Sequence, residues 1–367
     1  MIYLDYQATT PLAPEVKVAM LPWLDHFANP HSPNRWGREA AAAIEVARGQ
    51  IASCLPAGGS VIFTSGATEA LNLALRGLEE GGRGKIVTVA TEHAAVLDTC
   101  DWLERQGREI VRLPVDGGGL VDLDRLRAAV DESTALVAVM LVNNEIGVIQ
   151  PIAEIASVAH AAGALMLCDA VQGFGRMAIP DGPDLIASCA HKIHGPKMIG
   201  ALWVRDGVRV EPLVHGGGQE RGLRSGTLSP MLCAGFGAAA SLARSRRTDD
   251  HAHVEHLWSV AREALGPDWT INGSTERRYH GNLNLRRDGL DSARLMSDLR
   301  DIAFSLGSAC ASGSGRPSHV LRALGISDRE ARSSIRLGFG RYTTPAELAD
   351  ASRRIAAAAD AQTHLPA

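Results

Sequence analysis

The 367-residue sequence lacks the features of membrane and nucleic-acid-binding proteins. Nowhere do about 18 apolar residues follow one another, as a membrane-spanning helix requires. The formal net charge is -4 and no extended run of lysine and arginine occurs, so neither nucleic acid nor an anionic membrane is an expected partner. The N-terminal residues 1–5 carry no basic stretch leading into an apolar segment, which favours a cytoplasmic location.

Cysteine pairs of the metal-binding and redox type are also absent. The six cysteines are scattered without a CxxC pair, which argues against a zinc site and a disulfide framework; they are Cys54, Cys100, Cys168, Cys189, Cys233 and Cys310. Reduced thiols in a reducing compartment are therefore expected. Three histidines at 251, 253 and 256 are not spaced to share one helix face, so no metal site is predicted.

The composition that remains is that of a packed globular protein. Hydrophobic residues make up 46% of the chain and charged residues 21%, and the length suits a large domain with a smaller one attached. Short β-branched runs typical of buried parallel strands alternate with helical patterns; the runs are 61–63, 85–89, 135–142, 164–168, 184–189 and 201–204. A helix from Pro151 to Gly163 joins two of them. The sequence predicts an α/β domain with a mostly parallel sheet and ligand sites beyond the carboxyl ends of its strands.

A second domain is predicted where the pattern changes near residue 245. Polar and charged residues increase there, followed by helical stretches and short strands. We assign residues 16–245 to the large domain, and residues 1–15 and 246–367 to a smaller α+β domain.

Residues 64–69 (Thr-Ser-Gly-Ala-Thr-Glu) follow a predicted strand and open a helix that runs to Gly77. Backbone N–H groups, hydroxyls and the positive helix end converge there, as in sites for phosphate. An ordinary N-cap that only satisfies the helix donors is an equally good interpretation of this segment alone.

Two charged residues follow neighbouring predicted strands. Lys192 lies between an apolar strand and a Gly-Pro turn, where a partly desolvated amine has a lowered pKa and can form a Schiff base with an aldehyde cofactor. Asp169 ends the preceding strand, and its carboxylate at the same sheet edge would hold a proton on a pyridine nitrogen. Taken alone, Lys192 is also explained as a solvated lysine, and Asp169 as a capping aspartate.

Seven motifs follow one another along the chain, at 64–69, 92–93, 143–145, 169–172, 191–192, 224–227 and 307–310. In this order they resemble the motifs of the cysteine desulfurases of the pyridoxal-phosphate-dependent transferase fold type I, and the resemblance covers about residues 3 to 345. It implies pyridoxal 5'-phosphate as cofactor, L-cysteine as substrate, and a homodimer with shared active sites. It also implies a sulfur-acceptor protein of unknown identity, with iron–sulfur cluster assembly as one destination of the sulfur.

The same resemblance implies a role for each matching residue around the cofactor ring. Lys192 is similar to the lysine that binds the cofactor, Asp169 to the partner of the pyridine nitrogen, and Gln172 to the donor to the phenolic oxygen. His93 is similar to the histidine that stacks on the ring and assists proton transfer.

The phosphate and substrate sites are implied in the same way. Ala67, Thr68 and His191 resemble the phosphate-site residues, and Thr227 resembles the threonine that reaches the neighbouring subunit's phosphate. Cys189 stands where the family commonly has a phosphate-binding serine, so either Ser188 adjusts or that hydrogen bond is weaker. Asn144 and Arg336 match the family's substrate-side polar groups and are expected site residues. The guanidinium of Arg336 suits a carboxylate.

Cys310 lies in a segment of small residues, about 305–318, that we expect to be mobile. A Gly/Ser-rich loop offers no core in which to bury a cysteine, so Cys310 is the expected reactive thiol and the carrier of a persulfide. Two other functions stay open: a selenocysteine lyase, and a non-catalytic scaffold that binds the cofactor without turnover.

Overall fold

The computed structural model describes residues 1–78, 83–307 and 317–363. The strands in this part of the chain are β1 (Ile2–Tyr3), β2 (Gly59–Thr64), β3 (Lys85–Val89), β4 (Ile110–Leu113), β5 (Thr134–Met140), β6 (Leu165–Asp169), β7 (Leu185–Cys189), β8 (Gly200–Arg205), β9 (Thr270–Ile271), β10 (Asn282–Arg286), β11 (Ile302–Ala303), β12 (Ser305–Leu306) and β13 (Ser334–Gly338). The α-helices are α1 (Pro14–Met20), α2 (Arg35–Ala52), α3 (Ala67–Arg76), α4 (Ala94–Arg105), α5 (Leu123–Ala129), α6 (Ile152–Ala161), α7 (Pro230–Leu265), α8 (Ser292–Asp298), α9 (His319–Ala323), α10 (Asp328–Arg332) and α11 (Pro345–Thr363).

A seven-stranded sheet forms the centre of the molecule, with strand order β2-β8-β7-β6-β5-β3-β4. Strand β8 runs antiparallel to both of its neighbours, and the other pairings are parallel. Alternate residues of each strand enter different cores: Val61 and Phe63 pack on one face, and Ile62 packs on the other. Helices cover both faces, so the predicted α/β fold with a mostly parallel sheet is confirmed.

Helix α7 connects the two main regions of the structure. Its first half contributes Phe236 and Ala240 to the core beneath the large sheet, whereas its second half contributes Leu257 and Leu265 to a separate core. That second core lies against an antiparallel sheet of order β12-β13-β10-β9. The predicted boundary at residues 245–246 falls inside this helix, and the domain division stays a prediction.

Two neighbouring strands end side by side and prepare the site. Strands β6 and β7 pair in parallel, with Asp169 opposite Ala187. The turns that follow them therefore meet at one edge of the sheet. Among the helices that the structure describes, none has both the length and the apolar character needed to cross a membrane.

Gly200 allows β8 to approach the turn that precedes α3. A Cβ atom on Gly200 would lie 2.6 Å from the carbonyl carbon and 2.8 Å from the Cα atom of Gly66, and 2.8 Å from the Ser188 carbonyl oxygen. All three are backbone atoms, which cannot move aside by changing a rotamer. The absence of a side chain at residue 200 therefore sets the position of the turn at residues 65–67.

We predict that Gly200→Ala lowers the free energy of unfolding by about 1–3 kcal/mol, because the added methyl group overpacks backbone. Gly49→Ala is the matched control: Gly49 lies in α2 with no atom within 4 Å of an added Cβ. That change should stabilise the protein by about 0.5–1 kcal/mol. Urea unfolding of both variants measures the difference, and equal effects of the two substitutions would contradict the close approach.

Candidate active site

A cavity of about 620 Å³ opens at the edge of the sheet where β6 and β7 end. Ten of the twelve site residues predicted from the sequence line it: Ala67, Thr68, His93, Asn144, Asp169, Gln172, Cys189, His191, Lys192 and Arg336. These residues come from positions as far apart as 67 and 336, and the fold brings them around one space. The cavity is thus the candidate active site.

Lys192 lies on a single 3-10 turn that directly follows β7. Its Nζ atom donates hydrogen bonds to the backbone carbonyls of Gln7 and Ala8, the second at 2.8 Å. Burial lowers the pKa of Lys192 to about 8, and the nearby cations Arg176 and Arg336 add to the effect. A larger fraction of this amine is therefore unprotonated at neutral pH than of an ordinary lysine.

Asp169 supplies a buried carboxylate beside this amine. Only 6% of its surface is exposed, and its Oδ1 accepts a hydrogen bond of 2.9 Å from the Val171 N–H. Burial raises the pKa of Asp169, while the Val171 N–H, His93 and Lys192 oppose that rise. A cation bound in the cavity would therefore be strongly attracted to this carboxylate.

Glu92 is a second buried acid close to Asp169. Its Oε1 accepts a hydrogen bond of 2.8 Å from the Met140 N–H, and its Oε2 has no hydrogen-bond partner among the described residues. Burial, and then the charge of Asp169, raises the pKa of Glu92 well above its usual range. Burial and the neighbouring charge thus favour the neutral form of Glu92 beside Asp169.

Arg176, which was not predicted from the sequence, fixes the orientation of Gln172. The Gln172 Oε1 accepts a hydrogen bond of 2.6 Å from Arg176, and the Gln172 Nε2 donates one of 3.0 Å to the Gln7 carbonyl. Arg176 also donates to the Lys192 carbonyl at 2.9 Å. Since Arg176 can only donate and the Gln7 carbonyl can only accept, the Gln172 amide has one orientation.

The start of α3 forms one wall of the cavity. Gly66 precedes the helix, and no described side chain caps its first turn. Glu69 accepts a hydrogen bond of 2.7 Å from the Ser65 N–H and pairs with Arg224 at 2.8 Å, which holds the turn in place. The N–H groups of the first turn are thus available to an anion in the cavity.

His191 and Cys189 lie in the same cavity. Burial lowers the pKa of His191 to about 4, so its ring is neutral at pH 7, and its Nδ1 lies 3.2 Å from the Thr9 Oγ1. Burial raises the pKa of Cys189 to about 12, which keeps it a thiol. Ser188 does not line the cavity, because neighbouring strand residues point to opposite faces. Its buried Oγ has no described partner. The two alternatives for the phosphate site, an adjusted Ser188 or a weaker hydrogen bond, stay predictions.

His93 caps helix α4 and presents its ring to the cavity. Its Nδ1 accepts a hydrogen bond of 3.1 Å from the Ala95 N–H. The neutral ring therefore carries its proton on Nε2. This arrangement fixes both the position of the imidazole and the nitrogen that is free to exchange a proton.

Arg336 and Asn144 form the side of the cavity nearest the smaller antiparallel sheet. Arg336 lies on β13, and its Nη1 donates a hydrogen bond of 2.9 Å to the Asn144 carbonyl. The same carbonyl accepts a hydrogen bond of 3.1 Å from Asn282. A guanidinium held at this edge provides a binding group for a carboxylate.

Two predicted site residues are not placed in the cavity. Thr227 is exposed and does not belong to the lining. Cys310 lies outside the described residues, together with the rest of residues 308–316. The roles assigned to both from the sequence stay predictions.

The lining also contains residues that the sequence did not reveal as functional. Gln7 and Ala8 contact Lys192, and Thr9 contacts His191, yet all three precede the first helix in a short polar stretch without any periodic pattern. Met198 is 71% exposed beside the cavity with φ 65°. Among the described residues, no group of three or more His, Cys, Asp or Glu is arranged to hold a metal ion.

Comparison with known proteins places the chain among aminotransferase-like enzymes. The family model described as aminotransferase class-V matches residues 2–350. The chain is 45% identical over 361 residues to "Cysteine desulfurase IscS" of Rickettsia bellii (strain OSU 85-389). The aligned region covers 95% of this chain and 88% of the relative. The protein of the same name from Rickettsia rickettsii (strain Iowa) is 44% identical, and the aligned region covers the same fractions of the two chains.

Two solved structures are similar in fold to this chain over nearly its whole length. A structure described as "NIFS-LIKE PROTEIN" superposes with a TM-score of 0.91 and 32% identity, covering 99% of this chain and 100% of the other. The structure described as "SspA in complex with cysteine" gives a TM-score of 0.84 with 34% identity, covering 94% of this chain and 100% of the other.

We predict that reductive methylation of Lys192 by formaldehyde becomes faster as the pH rises to about 8 and then levels off. Only the unprotonated amine reacts, and the pKa of Lys192 is lowered to about 8. Mass spectrometry of the modified peptides, with exposed Lys17 as the reference amine, measures the rate. A rate that still rises in proportion to hydroxide above pH 10 would contradict the burial of this amine.

Proposed function

The chain belongs to the class-V aminotransferase family, and on this basis we propose that it is a cysteine desulfurase that uses pyridoxal 5'-phosphate. The overall reaction converts L-cysteine and an enzyme thiol into L-alanine and an enzyme persulfide. One observation carries the proposal: the amine of Lys192 and the carboxylate of Asp169 share a cavity that also contains an uncapped helix N-terminus. The 45% identity to cysteine desulfurases supports the choice of reaction.

The residues of the cavity fit the proposed cofactor. Pyridoxal 5'-phosphate requires an amine for its aldehyde, a carboxylate for its ring nitrogen and a site for its phosphate. Lys192 supplies the amine, since in the described part of the chain its Nζ donates only to backbone carbonyls. Asp169 supplies the carboxylate, because among described residues only a backbone N–H donates to it. The first turn of α3, Thr68 and neutral His191 supply donors for a phosphate.

When bound, the cofactor withdraws electrons from the Cα atom of an amino acid. Asp169 then holds a proton on the ring nitrogen, and a buried carboxylate is well suited to do so. His93 presents its ring for stacking and its Nε2 for proton exchange. Gln172 keeps a second N–H of its fixed amide for the phenolic oxygen. Lys192, with a pKa of about 8, takes up and releases a proton at Nζ near neutral pH.

Arg336 and Asn144 bind the amino-acid substrate, with Arg336 on its carboxylate. Cys310 then accepts the sulfur: the carbon–sulfur bond of L-cysteine breaks, a sulfur–sulfur bond forms on the Cys310 sulfur, and the remaining carbon skeleton becomes L-alanine. No external oxidant or reductant enters this balance, because a thiol becomes a persulfide while a carbon–sulfur bond becomes a carbon–hydrogen bond. The persulfide then passes to an acceptor protein, for iron–sulfur cluster assembly or another use.

A homodimer is part of the proposal. Large exposed apolar side chains concentrate between residues 18 and 36: Val18 (66% exposed), Leu21 (47%), Leu24 (63%), Phe27 (84%) and Trp36 (56%). Such a concentration is typical of a surface that a partner covers. In this dimer, Thr227 reaches the phosphate bound by the neighbouring subunit, which agrees with its exposed position outside its own cavity.

We predict that Cys310→Ser abolishes alanine formation from L-cysteine while leaving cofactor and substrate binding intact. A serine hydroxyl is a poor nucleophile toward sulfur, whereas Lys192, Asp169 and Arg336 are unchanged. Alanine release measures turnover, and the change in visible absorbance on adding L-cysteine measures binding. Mass spectrometry of the wild-type protein after turnover should find the extra sulfur on Cys310.

Cys54→Ser is the matched control, because Cys54 is a partly buried thiol packed against the core beneath the large sheet. It should retain wild-type turnover. Alanine and sulfide release at wild-type rates by Cys310→Ser would refute the assigned sulfur carrier. A wild-type protein that binds the cofactor but forms no alanine would refute the proposed reaction.

A further inference from the structure

We propose that Asp5 is a positioning residue that holds the Arg336 guanidinium in place for the carboxylate of the substrate. This inference rests on the proposed function and extends it to a residue outside the cavity. It concerns three side chains that meet beside the active site: Asp5, Ser305 and Arg336.

The three side chains form a closed set of hydrogen bonds. The Asp5 Oδ1 accepts from the Arg336 Nη2 at 2.8 Å and from the Ser305 Oγ at 2.7 Å. The Arg336 Nη2 also donates to the Ser305 Oγ at 2.8 Å. Each member is therefore held by the other two, and the guanidinium cannot turn without breaking two contacts.

Asp5 acts from behind the guanidinium and not from within the cavity. Arg336 belongs to the residues that line the cavity, and so do Gln7 and Ala8, whereas Asp5 does not. The Asp5 carboxylate therefore does not occupy the space of a bound substrate. A residue that competed with the substrate would have to lie in that space, so the placement favours a supporting role.

The backbone around Asp5 is itself fixed. Strand β1 pairs in parallel with β11, and Asp5 forms a bridge with Gly338, two residues after Arg336. The Tyr3 hydroxyl lies 2.9 Å from the Thr9 carbonyl oxygen and 3.2 Å from the Asp5 carbonyl oxygen, and its one proton is shared between these acceptors. A carboxylate on such a rigid base can orient a long, flexible side chain like arginine.

Arg336 keeps unused binding capacity after these contacts. Its Nη1 donates to the Asn144 carbonyl at 2.9 Å, and its Nε is buried without a partner in the described part of the chain. Arg336 lines the cavity, and its Nη1 has a second N–H that can donate to the carboxylate of an amino acid bound there.

Kinetics of Asp5→Asn with two substrates test the proposal. For L-cysteine, we expect KM to rise about tenfold with kcat changed less than about twofold, because the guanidinium is no longer held in its binding orientation. The second substrate is cysteamine, which has the amine and thiol of cysteine but no carboxylate. Its apparent dissociation constant, measured from the visible absorbance of the cofactor, should change by less than about twofold.

Asp301→Asn is the matched control. Asp301 is an exposed aspartate that pairs with Arg354 at 2.6 Å, in the same small region of the fold but without contact to Arg336. The substitution removes the same charge and should leave KM for L-cysteine unchanged. Ser305→Ala removes only the bridging hydroxyl and keeps the ion pair, so it should raise KM less than Asp5→Asn; it also tests the proposal if Asp5→Asn does not fold.

Three results overturn the inference. A KM for L-cysteine that falls in Asp5→Asn would mean that Asp5 competes with the substrate. An unchanged KM would mean that Arg336 is held without it, and an equal loss of affinity for cysteamine would indicate a general defect of the site. Failure of the wild-type protein to form alanine is a different result, since it rejects the proposed function itself.

Discussion

The burial of one carboxylate and one amine at the ends of two neighbouring parallel strands is the constraint on which the site depends. Asp169 ends β6, and Lys192 lies three residues beyond β7, with the strands in direct register. Removal of water raises the pKa of the acid and lowers the pKa of the amine, so both are moved toward their neutral forms. A cofactor with a cationic ring nitrogen and an electrophilic carbon satisfies both groups together.

The surroundings of this pair limit which charges the cavity can hold. Burial and the charge of Asp169 raise the pKa of Glu92 well above its usual range, and burial and nearby cations keep His191 neutral. Arg176 supplies positive charge beside Gln172, and Arg336 supplies it in the lining of the cavity. Burial lowers the pKa of Lys192 to about 8, and the imidazole of His93 lines the same cavity.

Much of this arrangement can be predicted from the sequence, because it depends on local pattern. Buried β-branched runs indicate the central strands, and residues at their carboxyl ends must meet at one edge, which is why Asp169 and Lys192 were predictable. Strand β4 was not, since its four residues are mostly half-buried and include Arg112. Contacts over long sequence separations leave no local pattern, and Asp5 with Arg336, or Gln7 with Lys192, could be found only from the structure.

The covalent position of the cofactor shows which amine of the cavity binds it. Borohydride reduction of the protein after incubation with pyridoxal 5'-phosphate makes the link to an amine permanent, and peptide mapping then identifies the lysine. We expect the modified peptide to carry the cofactor on Lys192. Lys197 also lines the cavity and is an internal comparison. Stoichiometric modification of Lys197 or another lysine, with Lys192 unmodified, would contradict the account.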